Sequence, residues 1–298
     1  MTDIHRSGIV GIIGRPNVGK STLLNQILGQ KVSITSRRPQ TTRHRIHGIK
    51  TIGDMQVIYA DTPGLHQKEG RAMNRYLNRA ASGALFDVDI IVFVVDVRKW
   101  TEEDDFVLSK LTAAKQPVIL AVNKVDFYPD RTALLPILDK LSAKRTFHAV
   151  VPISALKAQN VDQLETTLAA LIPEGPAFYP EDQISDKSER FHAAEIIREK
   201  LTRCLGKELP YALTVEIEQF KDEEKLRRIR AIIWVERDSQ KAIVIGTKGA
   251  GLKNIGSQAR IDMEAMFERK VFLGLWVKTK KNWSDDERAL QSLGYQES

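Results

Sequence analysis

Cysteine is nearly missing from this chain: Cys204 is the only one among 298 residues. A single thiol excludes an internal disulfide and leads us to expect a reducing, cytoplasmic setting, with Cys204 a small buried residue on an apolar helix face. Long hydrophobic runs are missing too. The longest, residues 90–95, is strand-sized and far short of the roughly 20 residues a membrane helix needs. The opening Met-Thr-Asp-Ile-His-Arg has no apolar signal region, so the protein is expected to stay in the compartment where it is made.

What is present points to a chain with substance. A hydrophobic content of 42% over this length suits two folded domains better than one. The net charge of +7 hints at a polyanionic partner, and its distribution matters more than its sum. Residues 31–50 hold six basic and no acidic side chains, and residues 225–281 hold 14 basic against five acidic.

The most informative stretch is Gly14, Arg15, Pro16, Asn17, Val18, Gly19, Lys20 and Ser21, preceded by the apolar run 9–13 and followed from Thr22 by a helix-like run to residue 28. Glycines placed where a strand turns into a helix let backbone N–H groups point inward around an anion. The helix dipole faces the same way, Lys20 adds a full charge toward the outer phosphates, and Ser21 offers a hydroxyl to a magnesium ion. This is the pattern of a nucleoside triphosphate site. Residues 31–45 lack apolar periodicity and read as a loop, in which Thr42, with Thr41 the near alternative, is placed to sense the γ-phosphate through the metal. Residues 55–60 read as a strand ending in Asp61, Thr62, Pro63 and Gly64. A carboxylate at a strand end can hold the metal through a water, and the glycine N–H can bond the γ-phosphate. Lys20, Thr42 and Gly64 are thus the candidate catalytic residues, and Ser21, Thr42 and Asp61 the candidate metal set.

Residues 89–96 form an uninterrupted β-branched run, expected as a central parallel strand; 102–114 read as a helix and 118–122 as the next strand. At its end stand Asn123, Lys124, Val125 and Asp126. The Asp126 carboxylate can accept from the ring N–H and amine of guanine together, while the Asn123 amide can address the purine O6 side. Adenine would leave the carboxylate unpaired, so the pattern selects GTP. A helix over 132–143 and a strand over 148–153 follow, with Ser154, Ala155 and Leu156 completing the base pocket and Asn160 capping a helix over 161–172. Strands alternating with helices predict an α/β P-loop domain, doubly wound on a mainly parallel sheet, over residues 1–175.

Three prolines within residues 173–182 mark a linker or extended strap, placed at 176–190. Residues 191–298 then read as a smaller α+β domain: a helix over 191–205, strands over 211–220 and 228–238, a loop, a helix over 253–268 and a strand over 271–277. The loop holds Gly246, Thr247, Lys248 and Gly249, a Gly-x-x-Gly turn before a helix, where backbone can approach a sugar-phosphate chain with Lys248 and Lys253 to neutralise it. This order resembles a type II KH domain, whose loop clamps single-stranded nucleic acid. Trp276 and Trp283 are expected in the core, and Ser284 with Glu287 at capping-box spacing predicts a short final helix.

The four nucleotide motifs followed by a Gly-x-x-Gly domain resemble the Era-like family of bacterial GTPases over essentially the whole chain. The resemblance implies a GTP-hydrolysing, magnesium-dependent switch that binds GTP and GDP. It further implies a KH domain that binds the 3′ end of 16S rRNA, a role in assembly of the 30S subunit, and a monomer in the cytoplasm, peripheral to the inner membrane. One departure stands out. Leu65 follows Gly64 where signalling GTPases carry a water-orienting glutamine, so slow hydrolysis is expected, assisted by a potassium ion beside Asn17. The competing reading is a membrane- or protein-docking GTPase whose second domain binds no RNA.

Overall fold

Apolar β-branched runs flanked by helices settle into a six-stranded sheet in the first of two units. The structure is a computed structural model that describes residues 5–36, 38, 41–64, 72–83, 87–130, 132–206, 209–293 and 295. By its internal contacts the chain divides into Met1–Ser33, Thr42–Glu69 and Leu77–Asp186 as one unit, and Ile34–Thr41, Gly70–Tyr76 and Lys187–Ser298 as the other.

The first unit runs β1 (Arg6–Ile13), α1 (Lys20–Leu28), β2 (Ile46–Ile52), β3 (Met55–Asp61), α2 (Ala72–Gly83, whose first turn falls in the second unit), β4 (Ile90–Asp96), α3 (Glu102–Leu111), β5 (Val118–Asn123), α4 (Leu135–Ser142), β6 (Ala149–Ile153) and α5 (Val161–Ala169). The strand order is β2-β3-β1-β4-β5-β6, with β2 antiparallel to β3 and every other pair parallel. Strands β4 and β5 are buried at every position because helices cover both faces. One core includes Leu23, Leu24, Leu164 and Leu168 from α1 and α5; the other includes Val107, Leu111 and Leu141 from α3 and α4.

The second unit runs α6 (Glu189–Cys204), β7 (Leu213–Asp222), β8 (Arg227–Val235), α7 (Asp238–Ile245), α8 (Ala250–Phe267), β9 (Val271–Thr279) and α9 (Glu287–Ser292). Its sheet is ordered β7-β8-β9, antiparallel then parallel, over a core of Ile197, Leu201, Ile233, Ala259 and Met263.

Several expectations need correction. Strand β2 is absent from the sequence reading because Gly48 stands in its alternation. A Cβ there would lie 2.5 Å from Leu28 and 2.7 Å from Leu24, so α1 packs where a side chain would go. Asn160 stands at the N-cap of α5, but its side chain does not close the helix: its backbone is left-handed and its amide donates to Pro152 O at 2.9 Å. The last helix is capped by Asp286, whose carboxylate accepts from Arg288 N and Ala289 N, while Ser284 bonds Glu236. Residues 238–245 form a helix, α7, where the sequence suggested loop. Trp283 is fully buried, but Trp276 is 45% exposed. Cys204 is exposed at the end of α6.

Residues 176–186 are an extended strap rather than a free connector. Gln56 Oε1 accepts from Phe178 N and Tyr179 N at 2.9 Å, Ile49 N donates to Ile184 O at 2.8 Å, and Asp186 Oδ1 accepts from His47 N at 2.9 Å.

Candidate nucleotide site and nucleic-acid groove

The loop between β1 and α1 takes its shape from backbone that side chains would obstruct. Gly19 has φ 106°, and a Cβ on it would lie 2.3 Å from Asn123 Nδ2; Gly64 approaches Pro16 so closely that a Cβ would fall 2.7 Å from Pro16 N. Lys20 is buried beside this loop and donates to Gly14 O and Arg15 O, both at 3.0 Å. Burial pushes its ammonium down to about 8, although Asp61 pulls the other way. Arg15 anchors the loop to α3, its Nε donating at 2.9 Å to the fully buried Asp104.

Three hydroxyls converge on Asp61 at the end of β3. Asp61 Oδ2 accepts from Ser21 at 2.7 Å, from Ser33 at 2.8 Å and from Thr42 at 3.4 Å, while Ser21 and Thr42 lie 2.8 Å apart. Burial raises the Asp61 carboxyl, opposed by Lys20 and these hydroxyls. Its other oxygen, Oδ1, is buried with no hydrogen-bond partner among the described residues. A hard cation with oxygen ligands fits this cluster, because it would answer the orphaned carboxylate oxygen and the gathered hydroxyls together. Ser33 was missed from sequence, where it is one of several loop hydroxyls. Thr62 turns away and donates to Ile12 O at 3.0 Å, and Pro63 and Gly64 are buried beside it. Leu65 lies outside the described residues.

On the base side the structure gives Asn123 a task besides facing the base. Its Nδ2 donates to Val18 O at 2.7 Å, and its Oδ1 accepts from Lys124 N at 2.7 Å and Ala155 N at 2.9 Å, so one amide joins three loops. Lys124 adopts a left-handed backbone and donates from Nζ to Asn17 O at 2.6 Å and Asp96 Oδ2 at 2.8 Å. Burial works to raise Asp96, but hydrogen bonds from Arg98 and Lys124 outweigh it and hold the carboxyl well below the usual range. Asp96 was also missed; its position at the end of an apolar strand was the available signal. Asp126 is half-exposed with Oδ1 accepting from Ser154 Oγ at 2.6 Å. Ser154 and Ala155 are buried here, whereas Leu156 is 71% exposed. Val125 is core, Asn17 is exposed, and Thr22 is half-buried in the first turn of α1.

In the second unit, Gly246, Thr247, Lys248 and Gly249 make a tight turn with positive φ at Gly246, Lys248 and Gly249. A Cβ on Gly246 would lie 2.9 Å from Gly251 N. Among the described residues no side chain caps α8; Ala250 N donates back to Thr247 O, and the helix dipole turns its positive end toward the turn. Beside the turn lies a groove of about 390 Å³, lined by Gly249, Lys253, Gly256, Arg260, Leu273 and Leu275 among others. Lys248, Lys253 and Arg260 are exposed around it. Sequence reading missed Gly256 and Arg260, which reach the groove only through the helical spacing from Lys253.

Comparison with known proteins decides what this pair of sites belongs to. Residues 9–124 match the family described as "50S ribosome-binding GTPase", and residues 208–284 the family described as "KH domain". The GTPase Era of Marinobacter nauticus is 58% identical over 301 residues, covering 99% of each chain, and that of Pseudomonas aeruginosa is 56% identical over 302 residues with the same coverage. The chain belongs to the Era family of GTPases. Two solved Era structures superpose with a TM-score of 0.95. One, a variant of Aquifex aeolicus Era bound to GDP and AlF4⁻, is 36% identical and covers 98% of this chain and 100% of its own. The other, Era with MgGDPNP and nucleotides 1506–1542 of 16S ribosomal RNA, is 37% identical with the same coverage. As an Era-family protein this chain hydrolyses GTP, through a P-loop domain on a mainly parallel sheet followed by a KH domain.

Proposed function

We propose that the protein is a GTP-driven switch that binds the 3′ end of 16S rRNA through its KH domain and assists maturation of the small, 30S ribosomal subunit. The observation that carries this is the Era relative solved with MgGDPNP and a 16S rRNA fragment, which shares the fold over 98% of this chain. The open Gly-x-x-Gly turn, uncapped α8 and groove beside them supply the matching surface here. Ser21 and Thr42 would hold magnesium directly and Asp61 through a water. When bound, the ion neutralises charge on the outer phosphates. Lys20 would meet the same phosphates, Gly64 would offer its N–H to the γ-phosphate, and Asp126 would select guanine.

Segment 34–41 supports the switch. Its two covalent neighbours, Ser33 and Thr42, both hydrogen-bond Asp61, while the segment itself belongs to the unit that contains the KH domain. Within that unit Glu199 Oε1 accepts from Thr35 N and from Arg203, both at 2.9 Å. Arg203 also donates to Thr35 O at 2.9 Å, and Arg198 donates to Thr41 O. On this reading a change at the nucleotide reaches α6 along the chain. The same reading has the protein act as a monomer, cytoplasmic and peripheral to the inner membrane, with a potassium ion beside Asn17. Equal turnover in sodium and potassium would remove the potassium.

The test is binding of the whole protein to RNA matching the 16S 3′ end, with GDP and with GDPNP. Tight, sequence-selective binding favoured by the triphosphate analogue and abolished by Lys248→Asp or Gly249→Asp is expected. Equal, weak binding to any RNA in both states would overturn the proposal and favour a protein- or membrane-docking GTPase.

A further inference from the structure

The sheet of the KH domain has a second face. On β8 and β9, Ile229, Ala231, Ile233, Val235, Val271 and Val277 point into the core. The alternate positions are Arg228, Arg230, Ile232 and Trp234, paired in register with Phe272, Gly274, Trp276 and Lys278. Phe272 and Trp276 are each 45% exposed, although large aromatic side chains bury well wherever a core will take them.

The geometry of this face is that of a stacking surface. A Cβ on Gly274 would fall 2.8 Å from Trp276 Cη2 and 3.0 Å from Cζ3, so the indole lies along β9 over the glycine and turns its other side to solvent. The Arg228 guanidinium sits 4.7 Å over the Phe272 ring, Arg230 lies 5.9 Å from the Trp276 ring, and Lys278 5.9 Å from the Trp234 ring. Arg228 is paired with Glu223, and Glu216 is hydrogen-bonded by Trp234 Nε1; Arg230 and Lys278 have no carboxylate partner among the described residues. Flat aromatic faces between unneutralised cations suit bases joined by phosphates, because every base has a π-face and every linkage a negative charge. The face and the groove share β9, the edge strand of the sheet: Leu273 and Leu275 line the groove from one side of it, and Phe272 and Trp276 stand on its other side.

We infer that this face is a second RNA contact, on which one or two unpaired bases of a strand leaving the Gly-x-x-Gly groove stack against Trp276 and Phe272, with Arg230 and Lys278 meeting the phosphates. The inference rests on the reading that the KH groove binds RNA. It is tested with the full-length protein, GDPNP and a labelled RNA matching nucleotides 1506–1542 of 16S rRNA, followed by anisotropy. Trp276→Ala and Phe272→Ala should each weaken binding about tenfold, the order expected for losing a stacked base, and Trp276→Phe should keep most of the affinity. Gly274→Ala should weaken it too, although every ring is retained, because the methyl displaces the indole. RNA should quench indole emission more in the wild-type protein than in Trp276→Phe. Wild-type affinity in the Phe272→Ala/Trp276→Ala double variant, with equal quenching in both proteins, would overturn the inference and leave the face to a protein partner. Gly249→Asp separates the two readings. Loss of binding there, with wild-type binding by the aromatic variants, overturns the stacking face alone. Wild-type binding by Gly249→Asp overturns the groove reading and, with it, a strand that runs on from the groove.

Discussion

Lys20 shows how burial prepares a residue for an anion. Its pKa of about 8 reflects a charge removed from water, which the loop carbonyls and the carboxylates of Asp61, Asp104 and Glu103 answer only in part. Phosphates restore the charged form, so binding takes up a proton. The sign follows directly: below about pH 7 the free protein already carries the charge and no uptake is needed, whereas above pH 8 the proton must be supplied. Calorimetry of GDP binding in buffers of different ionisation enthalpy should show roughly half a proton taken up near pH 8. Affinity should fall toward tenfold per pH unit above that; a flat profile from pH 7 to 9.5 would contradict it. At the base end, Asp126→Asn should shift preference from guanine to xanthine nucleotides by about two orders of magnitude, read as the ratio of GDP to XDP affinity. Asp126 could be assigned to guanine from sequence alone because that role depends on residue type and spacing. The tasks of Asn123, Asp96 and Ser33 could not be, because each depends on which loops the fold brings within 3 Å.

Elements differ in how openly the sequence declares them. Strands β4 and β5 were plain, since an unbroken β-branched run covered on both faces has few alternatives. Strand β2 was hidden by Gly48, and α7 by its apolar run 242–245, which carries no helical period of its own. What fixes α7 is a local cap and one distant bond: Gln240 Oε1 accepts from Glu236 N and Arg237 N at the helix start, and Thr279 Oγ1 donates to Asp238 at 2.6 Å. Trp276 misled for a related reason: a strand residue faces core or solvent by register, and composition does not reveal which. The packing at Gly48 makes a prediction for β2. Gly48→Val should lower stability by about 1–3 kcal/mol, read as a lower urea midpoint, because the new side chain must displace Leu24 and Leu28. An unchanged midpoint would show that α1 can move aside.

At the scale of the molecule, the domain boundary drawn at 175–191 misses that one unit claims pieces of the other's sequence. Besides 34–41 it holds the start of α2: Ala72 N donates to Asp285 at 3.0 Å and Tyr76 packs edge-on against Tyr295 at 5.7 Å. Both segments adjoin nucleotide motifs in the sequence, and neither could be assigned to a domain from its own residues. Glu199 is the buried centre of the grip on 34–41. Replacing it with Ala removes the acceptor of Thr35 N–H and should cost about 1–3 kcal/mol of stability. The ratio of RNA affinities with GDPNP and GDP should also move toward one. A lowered melting temperature with an unchanged ratio would make Glu199 a packing residue without a part in the switch.

The exposed Cys204 follows directly after Arg203, the residue whose guanidinium holds Thr35. Being the only thiol in the chain, it will take a maleimide dye at one place without any engineering. Light emitted from that dye would report, in real time and in the unmutated protein, whether the hold on Thr35 tightens or loosens through each round of GTP hydrolysis.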